Sequence, residues 1–147
     1  MNEEFSASAQ SAAPAPLWIV ITLLGLQALA VFGGAVWDIL GIAGVVPSAA
    51  PTSVELAAAL AVLLLVMGVW IVLAIRWCFE ARGIGRASAF ALIVFQFAIG
   101  LGLLQGDEAQ PALAGLILLP AIAAAIALLS APVTAWFAAG SPRRDAE

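Results

Sequence analysis

The chain has 147 residues, of which 65% are hydrophobic and 10% charged, with a mean hydropathy of +1.15. Soluble domains run nearer half apolar and a quarter charged, and a chain this size still leaves a large share of its surface exposed, so lipid, not water, is the expected solvent. The net charge is −4 and the five basic residues are all Arg (Arg76, Arg82, Arg86, Arg143 and Arg144), which excludes the basic face and high pI of a nucleic-acid binder.

Absent residue types narrow the chemistry further. There is no His, and the single Cys is Cys78. One Cys cannot form an internal disulfide, which excludes quinone-coupled disulfide oxidation of the four-helix type. Without His there is no bis-His haem, no His-based zinc site and no Ser–His or Cys–His nucleophile. The expectation is a protein that is not an enzyme and needs no cofactor or metal.

Residues 1–16 are acidic, small and Pro-containing, and read as a disordered tail. Glu3 and Glu4 stand where a signal peptide would be basic, and the apolar run from Leu17 is too long for one. A bilayer core of ~30 Å takes about 20 residues of apolar helix, and four segments qualify. The first spans about Leu17 to Leu40, with Trp18 and Trp37 near its ends, where amphipathic rings favour the interface.

The second spans about Val54 to Ile75, with a possible extension in water to Arg82. It opens on Thr52-Ser53-Val54-Glu55, which has the spacing of a capping box. The third spans about Arg86 to Gln105 and stops at Gly106, a residue suited to the left-handed position after a helix. The fourth runs from Pro111 to about Ala139, with Gly140 and Pro142 as stop signals, and residues 141–147 form a tail. The fold class expected is an all-α antiparallel bundle of four transmembrane helices over residues 17–140.

The positive-inside rule orients it. Arg76, Arg82 and Arg86 lie between helices two and three and Arg143 and Arg144 in the C-terminal tail, whereas the other loops hold Asp38, Glu55, Asp107 and Glu108. All five Arg fall on one side, which gives both termini in the cytoplasm and a multi-pass protein of the plasma (inner) membrane. The Arg side chains are expected to face anionic head groups at about 1 kcal/mol each. Arg82-Gly83-Ile84-Gly85-Arg86 lacks the strand–turn–helix setting of a phosphate cradle and reads as a tight turn. Arg76 and Glu80, four apart, are placed to pair.

No charge lies deep within a span, since Asp38 and Glu55 sit at the outer ends and Arg76 at the inner end, unlike the membrane-embedded Glu on which small multidrug-resistance transporters depend. The two mid-membrane polar residues are Gln27 and Gln96, each about ten residues into an outward-running helix and so ~15 Å deep. Pro120 lies at similar depth in the fourth helix and frees the carbonyl of Leu116 for one of them. Two readings stand: interhelical glue, or a polar waist lining a solute path. Ala30 and Gly34, Ala57 and Ala61, and Ala121 and Ala125 are small pairs at spacing four, suited to close helix packing or to a partner's helix. Cys78, beside the inner boundary, reads as an inert thiol with palmitoylation as the alternative.

From about Arg82 to Trp136 the chain resembles a group of small four-helix membrane proteins of actinobacteria that has no assigned activity. The resemblance rests on the basic loop (Arg82, Arg86), the central Gln96, Leu103-Leu104-Gln105-Gly106, and an apolar helix closing near Ser130-Ala131-Pro132. Many members carry a Pro early in the third helix, where this chain has Ser88 nearby. The resemblance implies topology and bacterial origin. The functional expectation is a structural or accessory protein that partners the bilayer and either another copy of itself or a second membrane protein. The alternative is a subunit of an oligomeric transporter or channel.

Overall fold

The computed structural model describes residues 13–45, 53–105 and 109–140. All regular structure among them is helical: α1 (Ala15–Ile42), α2 (Val54–Phe79), α3 (Gly83–Gly102), α4 (Pro111–Leu129) and α5 (Ala131–Gly140). The first four are each long and apolar enough to cross a membrane. Helix α1 packs on α2 and α4, and α3 packs on α2 and α4, so α1 and α3 face one another across the middle.

Helix ends follow from local chemistry. Ser53 caps α2, its hydroxyl accepting from the Leu56 amide at 3.3 Å. The cap therefore sits one residue beyond the Thr52–Glu55 register read from the sequence, and Thr52 lies outside the described residues. Helices α1 and α2 both end in the paired hydrogen bonds of a Schellman motif. At α1 these run from Val45 to Leu40 and from Gly44 to Gly41, with Gly44 at φ 72°. At α2 they run from Arg82 to Trp77 and from Ala81 to Cys78, and here Ala81 takes the left-handed position at φ 51°.

Several boundaries depart from the sequence reading. Helix α1 opens at Ala15, so Ala15 and Pro16 belong to it and not to the tail; residues 1–12 lie outside the described set. The tight turn is Glu80–Arg82, and Gly83 to Arg86 form the first turn of α3. The fourth helix is not continuous to Ala139. It stops at Leu129, Ser130 is extended (φ −63°, ψ 147°), and α5 starts anew. Pro132 accounts for the break, because its ring removes an amide and clashes with the carbonyl four residues back. The Ser130 hydroxyl then donates to the carbonyl of Ala127 at 2.7 Å, satisfying one orphan acceptor of the ended helix. Gly106, Asp107, Glu108, Arg143 and Arg144 lie outside the described residues.

The continuous buried cluster is off-centre. It joins Leu17 to Ala28 of α1, Ile71 to Cys78 of α2, Ala89 to Ile93 of α3, Ala121 to Leu128 of α4, and Val133 and Phe137 of α5. That is the half of the molecule nearest the α2–α3 turn. Helix α5 closes this end: the Trp136 indole donates to the carbonyl of Cys78 at 3.3 Å, and Gly140 abuts Ala81. Close approach depends on small residues. A Cβ on Gly85 would lie 2.5 Å from the backbone carbon of Trp77, and one on Gly68 would lie 2.7 Å from the Phe32 ring. Gly34 faces Leu64, while Ala61 and Ala121 are buried. One member of each small pair is thus packed inside, whereas Ala57 and Ala125 are half-buried and Ala30 is exposed. Large apolar side chains cover the outside, Leu29, Leu116, Leu119 and Ile126 among them, each about 70% exposed. In water such a surface would drive association; against acyl chains it is at no disadvantage.

Candidate functional site

Apart from Asp38, Glu55 and the Ser53 cap at the opposite end, the described side chains that bear on a site fall in two places. The first is the basic end, where α2 hands over to α3 and α5 folds across. Glu80 sits at the C-cap of α2 and takes two guanidinium groups: Arg76 Nε lies 2.9 Å from its Oε1, and Arg82 Nε contacts its Oε2. The Arg76 pair spans one helical turn, as its spacing requires. Arg76 is largely exposed and such a pair is worth only about 0.3–0.5 kcal/mol, so its effect is to spend charge locally more than to stabilise.

Arg86 differs from its neighbours. It lies in the first turn of α3, is partly buried, and donates from Nη2 to the hydroxyl of Thr134 on α5 at 3.2 Å. Among the described residues no carboxylate pairs with it, whereas Arg76 and Arg82 share Glu80. A groove of about 310 Å³ opens beside it, lined by Gly83, Arg86, Ala87, Phe90, Leu128 and Leu129. Cys78 is fully buried beneath the same end, and Trp18 meets Phe79 edge-on with ring centroids 5.4 Å apart.

The second place is the glutamine level. Gln27 and Gln96 are both partly buried, on helices that lie diagonally across the molecule. Gln27 is 12 residues and Gln96 13 residues beyond the first residue of its helix, about 18 and 20 Å at 1.5 Å per residue. Neither amide is hydrogen-bonded to the other or to the carbonyl freed by Pro120 in α4, and Gln27 Oε1 is buried with no partner among the described residues. Both lie at the margin where the packed half gives way to the more open one, since Ala28 and Ile93 are the outermost members of the cluster on α1 and α3.

No cluster of three or more His, Cys, Asp or Glu that could hold a metal exists among the described residues. The Arg86–Thr134 contact was beyond sequence reasoning, because 48 residues separate the partners and the sequence reading runs the span on to Ala139 although the resemblance has an apolar helix closing near Ser130-Ala131-Pro132. Compared with protein-family models, with curated proteins and with solved structures, the chain finds no match. The described structure therefore defines a class, an all-helical protein with four helices able to span a membrane.

Proposed function

We propose that this is a multi-pass protein of the plasma (inner) membrane, an antiparallel bundle with both termini in the cytoplasm, and that its work is non-enzymatic. It acts as a small structural or accessory unit that packs against another copy of itself or a membrane partner. The observation that carries this reading is the distribution of surface chemistry. Four apolar helices are covered by large exposed hydrophobics, and the described basic residues, Arg76, Arg82 and Arg86, are gathered at one end while Asp38 and Glu55 lie at the other. Antiparallel packing of α1 and α2 is supported by contacts that climb one helix while descending the other: Trp18 with Phe79, Phe32 with Gly68, Gly34 with Leu64. The positive-inside rule puts the Arg end in the cytoplasm.

Crosslinking in membranes followed by native mass spectrometry in mild detergent tests the role: a strict monomer with no co-purifying protein counts against it. Reporter fusions at each terminus test the orientation, with activity outside the cell as the contrary result.

One observation favours a second reading. The unpartnered Gln27 Oε1 lies within an apolar bundle, where an unsatisfied polar atom is costly, and several copies lining a path with Gln27 and Gln96 would give it water or solute to bond. Solute flux into liposomes that disappears with Gln96→Leu supports this reading; flux equal to that of protein-free vesicles dismisses it.

A further inference from the structure

We propose that the groove beside Arg86 is a binding site for one anionic phospholipid, with the phosphate on the Arg86 guanidinium and an acyl chain laid along Phe90 and Leu129. The inference rests on the reading that the four long helices lie in a bilayer, and goes beyond it by distinguishing one seated lipid from the fluid shell around the protein.

Three features converge. First, charge: Arg86 is held in the first turn of α3, a turn with no acidic residue, at the end of a helix where the aligned peptide dipoles disfavour a cation and attract an anion. Its guanidinium has five N–H donors, the hydroxyl of Thr134 takes one, and no described carboxylate takes any other. Arg76 and Arg82, by contrast, are spent on Glu80. Second, preorganisation: the bond to Thr134 ties the side chain to α5 and fixes its head beside the groove.

Third, the order of chemistry along the groove matches a phospholipid from phosphate to chain. Gly83, Arg86, Ala87 and Phe90 recur at the three- and four-residue spacings of one helix face. A Cβ on Gly83 would meet nothing within 4 Å, so that position is open beside the guanidinium. Phe90 follows four residues deeper than Arg86, about 6 Å along the axis, and faces Leu128 and Leu129 of α4 across the groove. Apart from Arg86 every lining residue is apolar. A free phosphate would find one cationic side chain there, whereas a lipid adds apolar burial of its chain at about 0.8 kcal/mol per methylene.

The test is native mass spectrometry of the full chain released from mixed micelles containing equal amounts of phosphatidylglycerol and phosphatidylcholine with the same acyl chains. The protein is expected to retain one phosphatidylglycerol in preference to phosphatidylcholine. Arg86→Gln should lower that retention at least about tenfold, the loss of a hydrogen bond to a charged group. Arg86→Lys should restore part of it, and Arg76→Gln should leave it unchanged. Gly83→Phe fills the open position while keeping the charge and should also lose the lipid; its helix content and elution volume verify that it folds. Equal retention of the two lipids, full retention by both Arg86→Gln and Gly83→Phe, displacement by excess inorganic phosphate, or a second copy of the chain seated on the groove in place of lipid would each overturn the proposal. If the protein needs detergent but keeps no phosphatidylglycerol, this site fails and the membrane reading stands; if it stays dispersed without detergent, the membrane reading fails first.

Discussion

A Cβ built on Gly85 would stand 2.5 Å from the carbonyl carbon of Trp77 and 2.7 Å from the amide nitrogen of Cys78, so the first turn of α3 rests directly on the backbone of α2. Backbone cannot swing aside as the tip of a side chain can. This contact, the left-handed Ala81 and the indole of Trp136 on the Cys78 carbonyl lie within one end of the molecule. That end is the most completely specified part of the fold, and it is also where the described arginines are gathered.

Gly85→Ala should therefore force α2 and α3 apart and cost about 1–3 kcal/mol, the usual penalty of overpacking. Gly83→Ala, two residues earlier with nothing within 4 Å of the added methyl, should leave stability unchanged or slightly raised. Thermal or SDS unfolding in micelles, followed by helical circular dichroism, separates the two. Equal midpoints for both variants would mean that the close approach does not hold the helices together.

Ala81 presents the opposite case, a residue with a side chain where glycine is favoured. Left-handed backbone costs an L-residue about 1–2 kcal/mol, and at the matching position of α1 the chain uses Gly44. Ala81→Gly should raise the unfolding midpoint by about 1 kcal/mol of stability, less what the freer unfolded chain takes back. An unchanged or lower midpoint would show that the methyl is needed against Gly140, which sits in contact with it.

These two residues also mark what a linear reading can reach. The four spans were legible because a run of about 20 apolar residues has one physical meaning in a bilayer. Gly44 ends α1 with a residue type suited to a left-handed turn, although the sequence reading closes the first span at Leu40 without it. Ala81 advertises nothing, and the turn was instead read at the glycines of Arg82–Arg86, which the structure uses for close packing and an open groove. The split at Ser130 is hidden from hydropathy for a related reason: apolar residues continue on both sides, so hydropathy reports one helix, and only the Ser130-Ala131-Pro132 close of the resemblance marks two. The Arg86–Thr134 contact depends on that split, so the candidate site was legible as a set of arginines but not as an arrangement.

Gln27→Leu should be stabilising. The Oε1 atom of Gln27 is buried without a partner among the described residues, and a buried unsatisfied polar atom costs about 1–3 kcal/mol. Removing it should raise the unfolding midpoint of the isolated protein, with Gln96→Leu as the comparison at the same level. If Gln27 were bonding across helices as glue, the substitution would instead lower the midpoint by about 0.6 kcal/mol, the average for such bonds. The sign of the change decides between the readings.

Cys78 provides a probe of how α5 docks. It is the only thiol in the chain, it is 0% exposed, and the indole of Trp136 is bonded to its carbonyl. A membrane-permeant maleimide should label it slowly in native micelles and rapidly after SDS unfolding. Trp136→Ala should speed native labelling by unlatching α5, and Pro132→Ala should do the same by a different route. Without the proline ring the helix can run on through Ser130, and a straight α4 from Pro111 to Gly140 would carry Thr134 and Trp136 along its own axis, about 1.5 Å per residue, away from Arg86 and Cys78. Faster labelling in both variants, with helix content unchanged or higher in Pro132→Ala, is the expected result. Labelling as slow as in the parent chain would mean that Cys78 is covered by the four long helices alone and that α5 does not close this end.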